Sequence, residues 1–411
     1  MTVMDEVLDA WATDATGPVA LHLKQKLLPV EAVNDGHGVI FPPTYADIGY
    51  NIDTLSDGTR AASVDSVGSQ ANRLEPIFKA APGTDRGRWL VPQIEVVLRS
   101  EPCGNCEGCA GGATAKKKGS ACRSPRKVTR SILELAHRAA DAAVQSSPGL
   151  REMIGDAFES LRNGDAGPLC ELAPTSLVFG VWDSRGGSGE KRPRLVRSLI
   201  RAWDVEPLHA AAQFNSVWKL LDEGQRAELE REAKAKKTEL SEKGLKDAPG
   251  VFRKTDKVPR FRDGTPNPEA RVLGGVIARG GIEREVTVNL VALRGLRGRG
   301  EAETHAIRKY LLGLSLMAAT ADIDLFLREG CHLRYADAND RWYEVPRRGA
   351  SREVSLDVAA IRDYALRAAN PFRPRWQARW PSDEALVYVF DLAEAKKLLA
   401  KKTEEEEAAG A

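Results

Sequence analysis

The stretch Thr175–Arg201 constrains the fold most strongly, because an apolar run, a glycine-rich segment and a basic segment follow one another within it. Ser176–Trp182 is rich in β-branched and aromatic residues, which is typical of a buried strand. The glycines between positions 186 and 189 indicate a loop. The apolar stripe that begins at Leu195 predicts a helix. We therefore expect a strand, a loop and a basic helix in succession.

After Asp183, six basic residues share this stretch with one acid, Glu190. They are Arg185, Lys191, Arg192, Arg194, Arg197 and Arg201. Guanidinium groups bind phosphate through paired hydrogen bonds, and a loop that opens a helix presents backbone amides to an anion. The stretch therefore predicts an anion-binding site, and we interpret the anion as the phosphate backbone of RNA. A surface loop without a ligand is the alternative.

Neither glycine-rich segment fits a nucleotide-hydrolysing enzyme. A P-loop ends in Gly-Lys-Ser/Thr, whereas Gly189 is followed by Glu190, and Gly295–Gly300 lacks the spacing of a dinucleotide-binding turn. The six histidines are scattered without a metal-binding spacing. Asp65 and Asp183 stand where a carboxylate commonly caps backbone amides. The sequence therefore predicts no catalytic residue, although a nuclease site that joins the two aspartates stays open.

The net charge of +2 on 411 residues does not by itself indicate a nucleic-acid-binding protein, but the charges are segregated. Lys116–Arg130 carries seven basic residues and no acid, Arg253–Arg262 carries five against one acid, and acids gather at Glu404–Glu407. Separate positive patches favour a phosphate-binding surface, with solvated loops as the alternative. The acidic N-terminus and the lack of a long apolar run predict a cytoplasmic protein without a signal peptide or a membrane span.

Four cysteines lie within twenty residues, at Cys103, Cys106, Cys109 and Cys122. Four thiolates suit a tetrahedral structural zinc, although the usual two pairs with a long gap are absent. An iron–sulfur cluster is the weaker alternative, because the fourth cysteine of the bacterial ferredoxin pattern precedes a proline. A reduced loop without metal also stays open. Cys170 and Cys331 stand in apolar surroundings and are expected in the core.

Periodicity predicts an α+β chain with hairpins rather than a strictly alternating parallel sheet. Strands are expected at Val19–Leu23, Val91–Leu98, Cys331–Tyr335 and Trp342–Val345. Helices are expected at Asp65–Glu75, Ser131–Gln145, Val217–Lys246, Ala306–Arg328 and Ala393–Ala411. Gly280 and Gly281, between two β-rich runs, predict a hairpin turn. Residues 101–130 read as an insertion without apolar periodicity.

Three motifs occur in one order along about the first half of the chain: Phe41–Tyr45, Asp65–Arg73 and Phe179–Ser184. Together they resemble the backbone RAMP subunit of the type I-G (formerly I-U) CRISPR Cascade complex, and Asp324–Gly330 fits the same family. The resemblance implies an RRM-like, ferredoxin-type palm with large insertions that form a thumb and fingers. It assigns no role to the cysteine segment or to the glutamate tail.

The resemblance also implies an activity without catalysis. Copies of such a subunit stack in a helical filament along the CRISPR guide RNA, hold its phosphates and leave most bases free to pair with target DNA, so that base pairing reads the sequence. The subunit assembles with other Cascade subunits and not with a membrane, and a separate nuclease cuts the DNA. Carried onto this chain, the implied RNA contacts are Arg185, Lys191, Arg192, Arg194, Arg197, Gln70 and Arg73.

We therefore expect a single RAMP domain over residues 1–395, with insertions at 99–130 and 221–268, and a charged, disordered tail at 396–411. An RNA-cleaving backbone subunit of the type III kind, with Asp183 as its catalytic residue, is the alternative function. A free-standing zinc protein organised by the cysteines is a third.

Overall fold

Helices and strands are mixed along the whole chain, which confirms the α+β prediction. The computed structural model describes residues 3–32, 38–45, 48–101, 103, 126–182, 191–209, 217–238, 240, 243, 245–246, 273–337 and 340–398. The strands are β1 (Ala20–Pro29), β2 (Val39–Ile40), β3 (Thr44–Tyr45), β4 (Gly49–Tyr50), β5 (Ile52–Thr54), β6 (Arg60–Asp65), β7 (Ile94–Glu101), β8 (Arg126–Ser131), β9 (Val181–Trp182), β10 (Lys191–Arg192), β11 (Val196–His209), β12 (Leu273–Asn289), β13 (Phe326–Arg328), β14 (Cys331–Tyr335), β15 (Trp342–Val345), β16 (Arg352–Val354) and β17 (Leu386–Val389). The helices are α1 (Val3–Thr13), α2 (Val67–Leu74), α3 (Ala142–Gln145), α4 (Leu150–Arg162), α5 (Gly167–Leu172), α6 (Pro174–Val178), α7 (Glu223–Ala235), α8 (Leu290–Arg294), α9 (Glu301–Ala319), α10 (Val358–Ala368) and α11 (Arg373–Arg379).

The main sheet is antiparallel and curled, with the strand order β13-β14-β1-β12-β11-β6-β5. The long strands β11 and β12 pair along most of their length at its centre. β15 and β16 extend the sheet from β1, and β2 pairs with β12. Helix α2 packs on β11, and α9 packs on β11 and β12. The sheet therefore forms the frame on which the helices are arranged.

A polar seam divides the buried face of this sheet into two hydrophobic clusters. Along β1, Leu23 belongs to one cluster and Leu27 to the other, and Gln25 lies between them. The same change occurs at Ser198 in β11 and at Arg284 in β12. Because Gln25 pairs with Arg284 and β11 lies next in the sheet, the three polar residues cross three adjacent strands.

The Arg284 guanidinium binds the seam together. It is fully buried and donates to Gln25 Oε1 at 2.7 Å, to Gln70 Oε1 at 3.2 Å and to Ser198 Oγ at 3.2 Å. Burial lowers the pKa of Arg284. The seam reaches the surface through Gln25, whose Nε2 donates to Asp340 Oδ1 at 2.7 Å. A charge in the core is thus held by neutral acceptors.

Helix α9 forms the centre of the helical layer. It is apolar and buried around most of its circumference, as expected of a helix covered on every side. Tyr310 stacks at 4.9 Å on Phe372, and its hydroxyl donates to Leu90 O at 2.7 Å. The predicted helix at Ala306–Arg328 is confirmed as far as Ala319, and its last residues form β13 instead. None of the helices in the described ranges is both long and apolar enough to cross a bilayer.

A smaller sheet, β17-β7-β8, carries the ends of the cysteine segment. β17 runs parallel to β7, and β8 runs antiparallel to it. The last pair of β7 and β8 joins Glu101 to Arg126. The predicted insertion at 101–130 is therefore not a loop throughout, because its last residues form the strand β8.

The two predictions for the stretch Thr175–Arg201 are wrong in secondary structure. Most of the predicted strand Ser176–Trp182 is the helix α6 and the turn after it, because Pro174 provides a first helical position and only the last two residues form β9. The predicted helix after the loop is the strand β11. Its apolar spacing also fits alternation, since Val196, Ile200 and Ala202 lie on the buried face.

The predicted hairpin at Gly280 and Gly281 is also wrong, because β12 continues through both glycines without a turn. They lie beside a bulge in β11, where the register shifts between Trp203 and Val205. A Cβ on Gly280 would lie 3.0 Å from the backbone carbon of Trp203. Gly280 therefore admits a close approach of two strands.

The predicted helix Ser131–Gln145 is broken into two 3-10 turns, Ile132–Glu134 and Arg138–Ala140, and the short helix α3. Arg138 has a φ of 54°, a left-handed conformation that no helix interior accepts. Of the predicted helix Val217–Lys246, α7 forms the middle. Residues 392–398 are helical, as predicted for the start of the last segment. The glutamate run and the basic segment Arg253–Arg262 lie outside the described residues.

Candidate nucleic-acid interface

A cleft of about 570 Å³ lies between α2, the turn at 136–140 and the β9–β10 hairpin. The hairpin pairs Val181 with Arg192 and Trp182 with Lys191. Three of the predicted RNA contacts, Lys191, Arg192 and Arg194, line this cleft. The structure therefore brings together the part of the basic stretch that follows the glycine loop.

The hairpin has its shape because position 180 is a glycine. Gly180 has a φ of +78°, which L side chains rarely adopt. A Cβ there would lie 2.8 Å from Arg194 Cγ, 3.1 Å from Arg192 O and 3.2 Å from Arg194 N. The strand after the loop can therefore pass directly over Gly180, and this close approach places the three cations on the cleft wall.

The three cations differ in how they are held. Lys191 and Arg194 are exposed at the rim. Arg192 is half-buried and donates through Nη2 to Leu161 O at 3.0 Å, at the C-terminal end of α4. The first two are accessible to an anion, whereas Arg192 also connects the hairpin to the helical layer.

An exposed tryptophan stands beside these cations. Trp182 has 62% of its surface accessible, and Lys191 Nζ lies 5.8 Å from the centre of its ring. A cation at this distance over a ring is weakly attracted to it. Exposed aromatic rings among cations are typical of surfaces that stack unpaired bases and bind the adjoining phosphates.

The floor of the cleft is a buried ion pair between Arg138 and Glu75. Arg138 Nε lies 2.7 Å from Glu75 Oε2, and the two side chains are 6% and 1% exposed. Burial raises the pKa of Glu75 to about 7, while Arg138 and the Thr175 hydroxyl oppose this shift. Burial also lowers the pKa of Arg138, and nearby Arg194 lowers it further. The pair therefore adds little net charge to the cleft, and the rim cations dominate it.

Helix α2 carries two other predicted contacts, but both point away from the cleft. Gln70 is fully buried, donates to Asp65 Oδ2 at 2.7 Å and accepts from Ser198 and Arg284. Arg73 donates to Asp65 Oδ2 at 3.1 Å and to Leu327 O at 2.7 Å. Gln70 has no exposed surface to offer a ligand, and Arg73 holds α2 to β13.

The remaining predicted contacts lie elsewhere. Arg197 is exposed on β11, opposite Thr287 of β12, and does not line the cleft. Arg185 lies outside the described residues. Asp183, the candidate catalytic residue, also lies outside them.

The N-cap of α2 is Ser66, whose Oγ accepts from Ser69 N at 3.2 Å. Asp65 does not cap the helix. Its buried carboxylate binds Gln70 and Arg73, and Arg328 Nη2 lies 3.5 Å from Oδ1. Side chains of the described residues therefore provide the hydrogen bonds and the ion pairs of this buried carboxylate.

Of the four clustered cysteines only Cys103 lies within the described residues, where it is half-buried. Cys106, Cys109 and Cys122 lie outside them. Within the described ranges no three metal-binding side chains lie together. Cys170 and Cys331 are fully buried, as predicted.

Sequence reasoning missed three residues of the cleft. The apolar run that ends at Trp182 predicts a buried strand, although the glycine loop beside it also indicates that the Trp182 side chain is exposed. No sequence pattern indicates that Asn72 and Arg138 belong to one site. Their hydrogen bond depends on the left-handed backbone of Arg138, which lies in a segment with helical periodicity.

Comparison with known proteins relates the cleft to a protein family. No curated protein matches the chain. A family model described as CRISPR-associated protein GSU0053 matches residues 21–207. The match begins in β1, ends in β11 and includes each residue that lines the cleft. Residues 21–207, slightly less than half of the chain, are therefore similar to a CRISPR-associated protein family.

Proposed function

We propose that the protein is a guide-RNA-binding backbone subunit of a type I CRISPR surveillance complex, of subtype I-G. The observation that supports this most directly is the cleft, where two exposed cations and an exposed tryptophan lie within the segment matched by the CRISPR-associated family. Copies of the chain would assemble along one guide and leave its bases free to pair with target DNA.

The cleft chemistry favours a single strand over a duplex. Lys191 and Arg194 offer charge to phosphates, and Trp182 offers a ring to one unpaired base. In a duplex the bases are stacked on one another and leave no free face for Trp182. A single-stranded guide therefore uses both parts of the site, whereas a duplex uses only the charges.

The architecture supports the same proposal. A curled antiparallel sheet with helices packed on one face is compatible with an RRM-like palm. We propose that the segments at 99–130 and 221–268 are insertions into this frame and form the fingers and thumb. The other partners in the proposal are further subunits of the surveillance complex.

The direct test compares RNA binding by the purified protein and by a variant without the rim cations. Each phosphate neutralised on a single strand contributes about 0.7 to the dependence of log affinity on log salt. Lys191→Ala/Arg194→Ala should therefore flatten the salt slope by about 1.4, equivalent to about 25-fold weaker binding at 0.1 M salt. The probe is a fluorescent 20-nucleotide single-stranded RNA, measured by anisotropy.

The matched control removes two exposed cations that do not line the cleft. Arg348 and Arg362 are exposed and line no part of the cleft, so Arg348→Ala/Arg362→Ala changes net charge equally. The control should keep the slope and affinity of the wild type. Equal losses in both double variants would show a general charge effect and refute the placement of the site. Co-purification of the wild type with RNA of uniform length would support the backbone role.

The proposal includes the absence of RNA cleavage. The assembled complex should leave labelled complementary RNA intact in the presence of magnesium. Regularly spaced cuts that Asp183→Ala abolishes would establish the type III-like alternative instead.

A further inference from the structure

The Asn72 side chain lies on the cleft wall in an orientation that its neighbour fixes. Asn72 is exposed, and its Oδ1 accepts from Arg138 Nη2 at 3.2 Å. The orientation of an amide side chain is ambiguous when both its oxygen and its nitrogen could form a hydrogen bond with the neighbouring group. Here the neighbour is a guanidinium, which donates and never accepts. The oxygen of Asn72 must therefore face Arg138, and the amide nitrogen must face away from it.

Arg138 is itself held in place. Its Nε lies 2.7 Å from Glu75 Oε2, its Nη1 donates to Gly180 O at 3.4 Å, and its guanidinium lies 5.3 Å from the centre of the Phe179 ring. The backbone of Arg138 is left-handed, with a φ of 54°. Such a conformation persists only where the surroundings enforce it. The group that orients Asn72 is thus part of the rigid floor of the cleft.

The amide nitrogen of Asn72 has no acceptor among the residues that the structure describes. It lines the same cleft as Trp182, Lys191 and Arg194. The two N–H groups of this amide are therefore uncharged donors in the cleft that the exposed tryptophan and the two rim cations also line.

We propose that Asn72 is an RNA contact in its own right, a neutral donor that Arg138 and Glu75 position to bind acceptor oxygens of the nucleotide seated against Trp182. This inference rests on the proposed function of the cleft. The acceptor is a ribose hydroxyl, a base carbonyl or a phosphate oxygen, since each of these offers an oxygen lone pair to an N–H donor. Arg138 and Glu75 act as positioning residues and do not touch the RNA.

The experiment uses the full-length protein and fluorescent single-stranded oligouridine of 20 nucleotides. Asn72→Ala removes the donors without changing charge, so affinity should fall about fivefold, the effect of one neutral hydrogen bond, with an unchanged salt slope. Asn72→Asp keeps an oxygen for Arg138 but replaces the donors with an acceptor. It should fold as the wild type does and bind more weakly than Asn72→Ala.

Ser69→Asp is the charge-matched control, because Ser69 lies one turn earlier on α2 and does not line the cleft. Asn72→Asp should weaken binding at least fivefold more than Ser69→Asp. Equal effects of the two aspartates, or wild-type binding by Asn72→Ala, would overturn the inference. If Asn72→Ala fails to fold, the comparison of the two aspartates decides alone.

Two further arms separate the possible outcomes. Oligodeoxyuridine lacks the ribose 2′-hydroxyl. If Asn72→Ala does not weaken the binding of this probe, that hydroxyl is the acceptor. Retention of the effect on both probes assigns the contact to a base carbonyl or a phosphate. If Lys191→Ala/Arg194→Ala also binds as the wild type, the proposed function fails. If that variant is weakened and Asn72→Ala is not, only the role of Asn72 fails.

Discussion

Replacement of Gly180 by alanine should damage both the stability of the protein and its affinity for RNA. The alanine must adopt a left-handed backbone at φ +78°, which costs about 1–2 kcal/mol. Its Cβ would also lie 2.8 Å from Arg194 Cγ and 3.1 Å from Arg192 O. Overpacking of this kind adds about 1–3 kcal/mol, so the total loss should be about 2–5 kcal/mol.

Gly164 provides the matched control. It has a φ of +91°, and a Cβ there would meet no atom within 4 Å. Gly164→Ala therefore isolates the backbone term and should lose only about 1–2 kcal/mol. Urea unfolding followed by tryptophan fluorescence measures both variants, and anisotropy measures their affinity for single-stranded RNA.

The two glycines should separate most clearly in RNA binding. Relief of the contact at Gly180 moves the backbone of residues 192–194, and the cleft loses the placement of its cations. Gly164→Ala should bind RNA as the wild type does. Equal stability losses in the two variants, or wild-type affinity in Gly180→Ala, would refute the reasoning that the close approach at Gly180 builds the cleft.

Three other changes test separate parts of the structure. Because burial raises the pKa of Glu75 to about 7, folding takes up a proton there between pH 4.5 and 7; this contribution to stability is complete below pH 4.5 and is lost as the pH rises through 7. Glu75→Gln should therefore flatten this part of the pH dependence, and urea unfolding at pH 5 and pH 8 measures the difference from the wild type. Trp182→Ala should weaken single-stranded RNA binding by about 1–3 kcal/mol without changing the salt slope, whereas Trp182→Phe should retain most of the affinity in the same anisotropy assay. We also expect about one zinc ion per chain in elemental analysis, held by Cys103, Cys106, Cys109 and Cys122 and lost in Cys103→Ser; a zinc content equal in wild type and variant would contradict this site.

The sequence predicts best where local pattern and tertiary packing agree. The strands β14 and β15 lie at the predicted positions, and the cap at Ser66 follows from helix chemistry alone. The helix predicted after Leu195 fails because one apolar spacing fits both periods, and only pairing with β12 and β6 decides for a strand. The turn predicted at Gly280 and Gly281 fails because the residue that needs the space at Gly280 is Trp203, which is distant in sequence.

The candidate site shows the same limit. The basic residues that follow the glycine loop are local in sequence, and the cleft holds three of them together. The prediction that Gln70 contacts RNA rests on its residue type alone. In the structure, its side-chain oxygen accepts hydrogen bonds from a guanidinium of β12 and from a hydroxyl of β11. No local pattern could place Arg138 beside Asn72, because 66 residues separate them and a left-handed turn brings them together.

The polar seam has a consequence for how the strands choose their alignment. A shift of two residues in the register of β1 against β12 keeps every side chain on its own face of the sheet. Hydrophobic packing alone therefore disfavours the shifted register only weakly. The same shift would carry Gln25 away from the Arg284 guanidinium and leave the buried charge without one of its three acceptors. The three polar positions on adjacent strands therefore favour one alignment of the sheet.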